Sequence, residues 1–121
     1  MIRPGKGHLL RIFIGENDRH EGRPLHEWIV AEARRQGLAG ATVLRGMEGF
    51  GAHSRVHTAR VLRLAADLPV VVEIVDTREK IDRFMPTVDA AIEEGLATLE
   101  QVEIRFYRSR ASGGADTQPE R

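Results

Sequence analysis

Apolar residues recur along this chain with two periods. His8 to Ile14 alternates, with Leu10, Ile12 and Ile14 on one side and Leu9, Arg11 and Phe13 on the other, the pattern of a β-strand. GENDRHEGRP, residues 15–24, is a polar turn, and Pro24 suits a helix start. Leu25, Trp28 and Ile29 then fall at helical spacing, and Gly37 marks the helix end. Ala41 to Arg45 reads as a second strand. Val70 to Val75, VVVEIV, is apolar on both faces except at Glu73, which places it centrally in a sheet. Asp76 is the expected cap of a second helix, with Glu79 three residues on as its capping-box partner. Ile81, Phe84, Met85, Val88 and Ile92 line that helix, Pro86 should kink or locally break it, and Gly95 should end it. Val102 to Tyr107 alternates again as a last strand. Residues 59–64 fit either a strand or a short helical turn.

The order βαββαβ predicts an α+β, ferredoxin-like domain, a four-stranded antiparallel sheet with two helices on one face. The domain is expected over residues 1–109, with a small, polar, aperiodic tail over 110–121 that reads as disordered and removable. The sheet face without helices would carry Leu9, Phe13, Val71 and Val75. So much apolar sheet calls for a cover, and a symmetric oligomer supplies it economically.

Between the second and third strands lies GATVLRGMEGFGAHSRVHT, residues 40–58. Glycines at 46, 49 and 51 are interleaved with Arg45, Glu48, Phe50, His53, Arg55 and His57. Exposed amides beside arginine suit an anion such as phosphate. With little apolar periodicity, residues 46–57 are expected to be mobile without ligand. Arg11 and Arg105, charges on otherwise apolar strands, belong at a sheet edge or a cleft and are further candidate anion contacts. His53 and His57, with Glu48 or Asp67, offer an alternative metal-binding reading. Trp28, at helical spacing, fits core or interface better than a ligand platform.

Composition narrows the function. The 121 residues suit one domain, and the formal charge is zero, without the basic excess of a nucleic-acid binder. Of 18 basic residues only Lys6 and Lys80 are lysines, so cationic contacts are mostly arginine, the better partner for planar and tetrahedral oxyanions. The absence of cysteine excludes disulfides, thiolate metal sites and cysteine nucleophiles, and fits a cytoplasmic protein. No apolar run approaches the roughly 20 residues of a membrane span, and MIRPGKGHLL lacks a signal-peptide core. Ser54 and His57 are close, but no elbow motif surrounds the serine, and no P-loop or dinucleotide fingerprint is present. The expectation is a protein that is not an enzyme.

LLRIFIGE at 9–16, GRPLHEWIVAEARRQGLAGATVLRGMEGFG at 22–51, HTARVLRLAADLPVVVEIVD at 57–76 and EKIDRFMP at 79–86 together resemble the PII-like signalling proteins, closest to their domain-of-unknown-function branch. The resemblance spans roughly residues 8 to 107. It implies a homotrimer of ferredoxin-like subunits with adenine nucleotides in the clefts between them. It implies too that the loop 46–58 relays ligand state to a partner, a membrane transport protein or an enzyme; members of this branch are often encoded beside a fluoride channel. By motif position Thr42 matches a threonine near the adenine, and Gly49 and Gly51 match glycines whose amides meet phosphate, flanking Phe50. Arg45, His57, Arg11, Glu73 and Arg105 complete the candidate ligand contacts. The chain departs from the pattern after the second helix, where PII proteins carry a glycine-rich, lysine-bearing phosphate loop. Residues 93–103, EEGLATLEQVE, hold one glycine and no cation, so AMP or ADP is expected to bind in preference to ATP, repelled by Glu93, Glu94 and Glu100. Glu73 matches a glutamate that pairs with the missing lysine and needs another partner or water. An interaction trimer that binds no nucleotide is the competing reading.

Overall fold

The computed structural model describes residues 2–51 and 67–110. Among these residues eight elements follow one another: β1 (Gly5–Gly15), β2 (Arg19–His20), β3 (Arg23–Pro24), α1 (Leu25–Arg35), β4 (Thr42–Arg45), β5 (Pro69–Asp76), α2 (Arg78–Ala91) and β6 (Leu96–Ile104). β4, β5, β1 and β6 form, in that order, one four-stranded sheet, antiparallel throughout. This is the ferredoxin-like α+β arrangement that the element order predicts. β2 and β3 make a separate small hairpin within the polar segment read as a turn.

The inner strands are β1 and β5, paired from His8↔Asp76 to Gly15↔Pro69. Their alternate residues Leu10, Ile12, Ile14, Val70, Val72 and Ile74 are buried against Leu25, Ile29 and Ala33 of α1 and Ile81, Phe84, Val88 and Ala91 of α2. Phe84, Ile12, Ile29, Ile74 and Ile81 are almost wholly inaccessible. Trp28 packs at the margin of this core, its ring 4.4 Å from that of His20 in an edge-on pair. No helix among the described residues is long and apolar enough to cross a membrane.

Both helix ends use local chemistry. Gly37 follows α1 with φ +83°, the left-handed conformation that costs glycine little. The Leu38 N–H then bonds Ala33 O and the Gly37 N–H bonds Arg34 O, the paired arrangement that satisfies the last carbonyls of a helix. At α2 the cap is one residue later than the sequence pattern suggests. Thr77 is the N-cap, its hydroxyl accepting from the Lys80 N–H at 3.1 Å. Asp76 is buried instead and accepts from the N–H groups of Ala39, at 2.8 Å, and Thr77, at 2.7 Å. α2 runs through Pro86 as one helix, with Ile92 rather than Gly95 at its end.

The last strand corrects the sequence reading most. β6 begins at Leu96, not Val102, and stops at Ile104, so Arg105, Phe106 and Tyr107 lie beyond it. It pairs with β1 from Gly5↔Ile104 to Phe13↔Leu96. The acidic stretch 93–103 is therefore not one loop: most of it is edge strand, and Glu93–Gly95 belong to the connection. Residues 59–64 lie outside the described residues, as does the tail from 111.

The cap assignment is directly testable. Thr77→Ala should lower unfolding stability by about 1 kcal/mol, whereas Glu79→Ala at the exposed first turn should change it by about half that or less. Urea denaturation of the two variants checks this.

Candidate functional site

The sheet face turned away from the helices is built in cross-strand rows. Leu44, Val71, Phe13 and Leu96 stand opposite one another across all four strands and form an apolar row. Thr42, Glu73, Arg11 and Thr98 form the next, a polar row at mid-sheet, and Val75, Leu9 and Glu100 follow. Leu44 and Leu96 are exposed, while Leu9, Phe13, Val71 and Val75 are only half-buried.

Arg11 is not at a sheet edge; it stands on an inner strand with its charge already met. Its Nε donates to Glu73 Oε2 at 3.0 Å, and its Nη1 to Glu100 Oε1 at 3.2 Å. Glu73, left without the lysine of the resembled family, thus finds a cation 62 positions earlier in the chain. Glu100, expected in an acidic loop facing phosphate, projects from β6 toward the same guanidinium.

Beside the polar row lies an open cavity of about 460 Å³. Its lining comes from residues 39–42, from Glu73 and Val75 on β5, from residues 102–107 and from Ile2. Ile104 packs over Gly7, where a side chain would collide with it. The Ala39 peptide is held from both sides, its N–H donating to Asp76 and its carbonyl accepting from the Tyr107 hydroxyl at 2.6 Å. Sequence reasoning gave Tyr107 and Ile2 no part in a site and gave Asp76 only that of a helix cap; a sole tyrosine near the chain end was the one available signal.

The glycine segment lies at the opposite end of the sheet. The Gly46 N–H bonds Pro69 O at 2.7 Å, and the Glu16 N–H bonds Leu68 O at 2.8 Å, so both the loop base and the end of β1 are tied to the start of β5. Gly49 has φ +152°, and a side chain there would press on Pro69; Gly51 has no such backbone demand and open space around it. Met47 and Phe50 are 94% and 85% exposed. Arg45 shares its register row with Val70 and Ile14, the row on the helix side, and pairs with Glu16 at 3.1 Å. Its cation is thus spoken for and on the face opposite Thr42.

The single chain therefore gathers Thr42, Glu73 and Arg105 in one cavity with Arg11 bonded to Glu73, and keeps Arg45, Gly49, Phe50 and Gly51 apart from them. His57 and His53 lie outside the described residues. Asp67 accepts from the Asn17 N–H at 2.7 Å, and among the described residues no group of three or more His, Asp or Glu is placed to hold a metal. Away from this face, the hydrogen-bonded Arg35 guanidinium holds the Glu32 carboxyl below its ordinary value.

A ferredoxin-like sheet with one face left open by α1 and α2, a cavity toward one end of that face and a glycine segment after its edge strand at the other defines a PII-like fold. Solved structures agree. A protein of Thermus thermophilus assigned to PII-like signalling superposes with TM-score 0.59 at 16% identity, over 86% of this chain and 94% of that one. CPII of Thiomonas intermedia K12, a nitrogen regulatory PII-like protein solved with ADP, AMP and bicarbonate, gives TM-score 0.58 at 15% identity, over 86% of this chain and 92% of that one. The chain belongs to the DUF190 family, an uncharacterized ACR, whose model matches residues 7–104. A UPF0166 protein of Aquifex aeolicus is 41% identical over 87% of this chain and 99% of its own length. UPF0166 protein MJ1524 of Methanocaldococcus jannaschii is 37% identical over 67% of this chain and 74% of its own.

Two stability contrasts follow from this geometry. Gly49→Ala should cost about 1 kcal/mol or more and Gly51→Ala little, because only Gly49 has both the positive φ and the close proline. Arg11→Met should destabilise the fold, and Glu73→Gln added to it should recover part of the loss, since the second change removes a carboxylate left without its cation. Thermal unfolding of the single and double variants reads both.

Proposed function

We propose that this chain is a non-enzymatic PII-like regulatory subunit that binds an adenine nucleotide, AMP or ADP, in clefts completed by neighbouring copies in a homotrimer. The observation that carries the reading is the cavity at Thr42 and Glu73, set in a sheet face whose apolar rows the described residues leave half-buried or exposed. Neighbouring copies laid on that face would bury Leu44, Val71, Phe13 and Leu96 and close the cavity into an intersubunit cleft. The bound ADP and AMP of CPII support an adenine nucleotide as the effector class. Thr42 then lies near the base, the amides of Gly49 to Gly51 from a neighbouring position serve phosphate, and Arg105 supplies charge within the cavity.

Ligand state would pass through the loop 46–58, where Met47 and Phe50 stand exposed as apolar contacts for a partner, a membrane transport protein or an enzyme. Glu93 and Glu94, in a connection without lysine or arginine, favour one or two phosphates over three.

Light scattering at micromolar concentration should give three chain masses, and calorimetry should show AMP or ADP binding more tightly than ATP. A monomer would sink the oligomeric part. Absence of binding by all three at millimolar concentration would leave an interaction trimer as the better account, and tightest binding by ATP would overturn the argument from Glu93 and Glu94 alone.

A further inference from the structure

Glu73 presents only half of an engaged carboxylate. Its Oε2 accepts from Arg11, but among the described residues nothing donates to Oε1. Its cross-strand neighbour Thr42 has a hydroxyl likewise without a partner among the described residues. Both line the cavity, beside the apolar surfaces of Ala41, Val75, Ile104 and Phe106. A half-buried carboxylate oxygen has no proton to give: it accepts, and it carries charge. An N–H or O–H donor satisfies it; a phosphate oxygen, itself an anionic acceptor, is repelled. Glu103 in the same lining adds a second carboxylate, offset by Arg105. The apolar walls meanwhile suit a flat ring rather than a hydrated group.

We infer that Glu73 is a specificity-determining residue whose free Oε1 takes an N–H donor on the edge of an amino-bearing heteroaromatic ring seated in the cavity, with the anionic end of the ligand held outside it. In the nucleotide reading, on which this rests, the carboxylate reads the exocyclic amine of the base. Arg11 fixes the direction of the arrangement: by occupying Oε2 from the β1 side it leaves Oε1 as the oxygen available to the ligand.

The probes are AMP and purine riboside 5′-monophosphate, which differ only in the amine at position 6. A hydrogen bond to a charged acceptor in such a site sets the scale of the difference. The wild-type protein should bind AMP about tenfold or more tightly than the analogue, and Glu73→Gln should bring the two within about threefold of each other. Equal affinities in the wild type overturn the inference and leave the nucleotide reading standing. So does a Glu73→Gln protein, shown folded by its thermal transition, that keeps the wild-type ratio. Binding of neither probe at millimolar concentration overturns this inference, and failure of ADP and ATP as well would remove the nucleotide reading with it. The wild-type comparison needs no variant, so a Glu73→Gln chain that failed to fold would still leave the first criterion in force.

Discussion

The constraint that governs this molecule is that its two inner strands are apolar on both faces while the described helices, α1 and α2, cover only one. β1 and β5 send Leu10, Ile12, Ile14, Val70, Val72 and Ile74 into the helix-covered core. The period of a strand then forces Leu9, Phe13, Val71 and Val75 to the other side. There they meet Leu44 and Leu96 from the two edge strands, and the described residues leave this face half-buried or exposed. Removing apolar area from water is worth roughly 25 cal/mol per Å², so this face has a standing free-energy reason to acquire a cover. The cavity opens on that face, so in the proposed trimer one neighbouring copy would both cover the sheet and close the cavity.

Placing charge on such a face has a cost, and the chain limits it by grouping. Arg11 would be expensive to desolvate alone. Set between Glu73 and Glu100 it becomes part of a three-membered ion network, with Glu73 the least exposed of the three side chains. One cation across two carboxylates leaves that network with an excess negative charge. Arg45 is committed too, to Glu16 on the far side of the sheet. An incoming phosphate would therefore share either arginine with a carboxylate already bonded to it. Backbone amides and Arg105 are the donors left with fewer obligations, and they stand toward opposite ends of the sheet.

Much of this was legible along the chain. The alternation of Leu10, Ile12 and Ile14, and the doubly apolar run at Val70–Val75, are local patterns imposed by burial, so they survive in the sequence. Gly37 signalled its helix end because only a left-handed residue closes that turn cheaply. The start of β6 did not show, because edge residues such as Leu96, Ala97, Thr98 and Leu99 are exposed and carry no clean alternation. The cap of α2 was ambiguous because Asp76 and Thr77 can both accept an amide; the distant Ala39 N–H claims the carboxylate and leaves the cap to the threonine.

The site was only partly readable for the same reason. The sequence by itself determined the element order, the two-faced inner strands, the polar interruptions at Arg11 and Glu73 and the glycine segment, since each is a property of neighbours in the chain. The tertiary structure alone decided that Arg11 neutralises Glu73, that Glu100 joins them, that Tyr107 reaches Ala39, and that Thr42 and Gly49 lie apart within the chain. Those are pairings between residues tens of positions distant, set by strand register. A register shift of one residue would turn Arg11 to the helix side without altering a letter of the sequence around it.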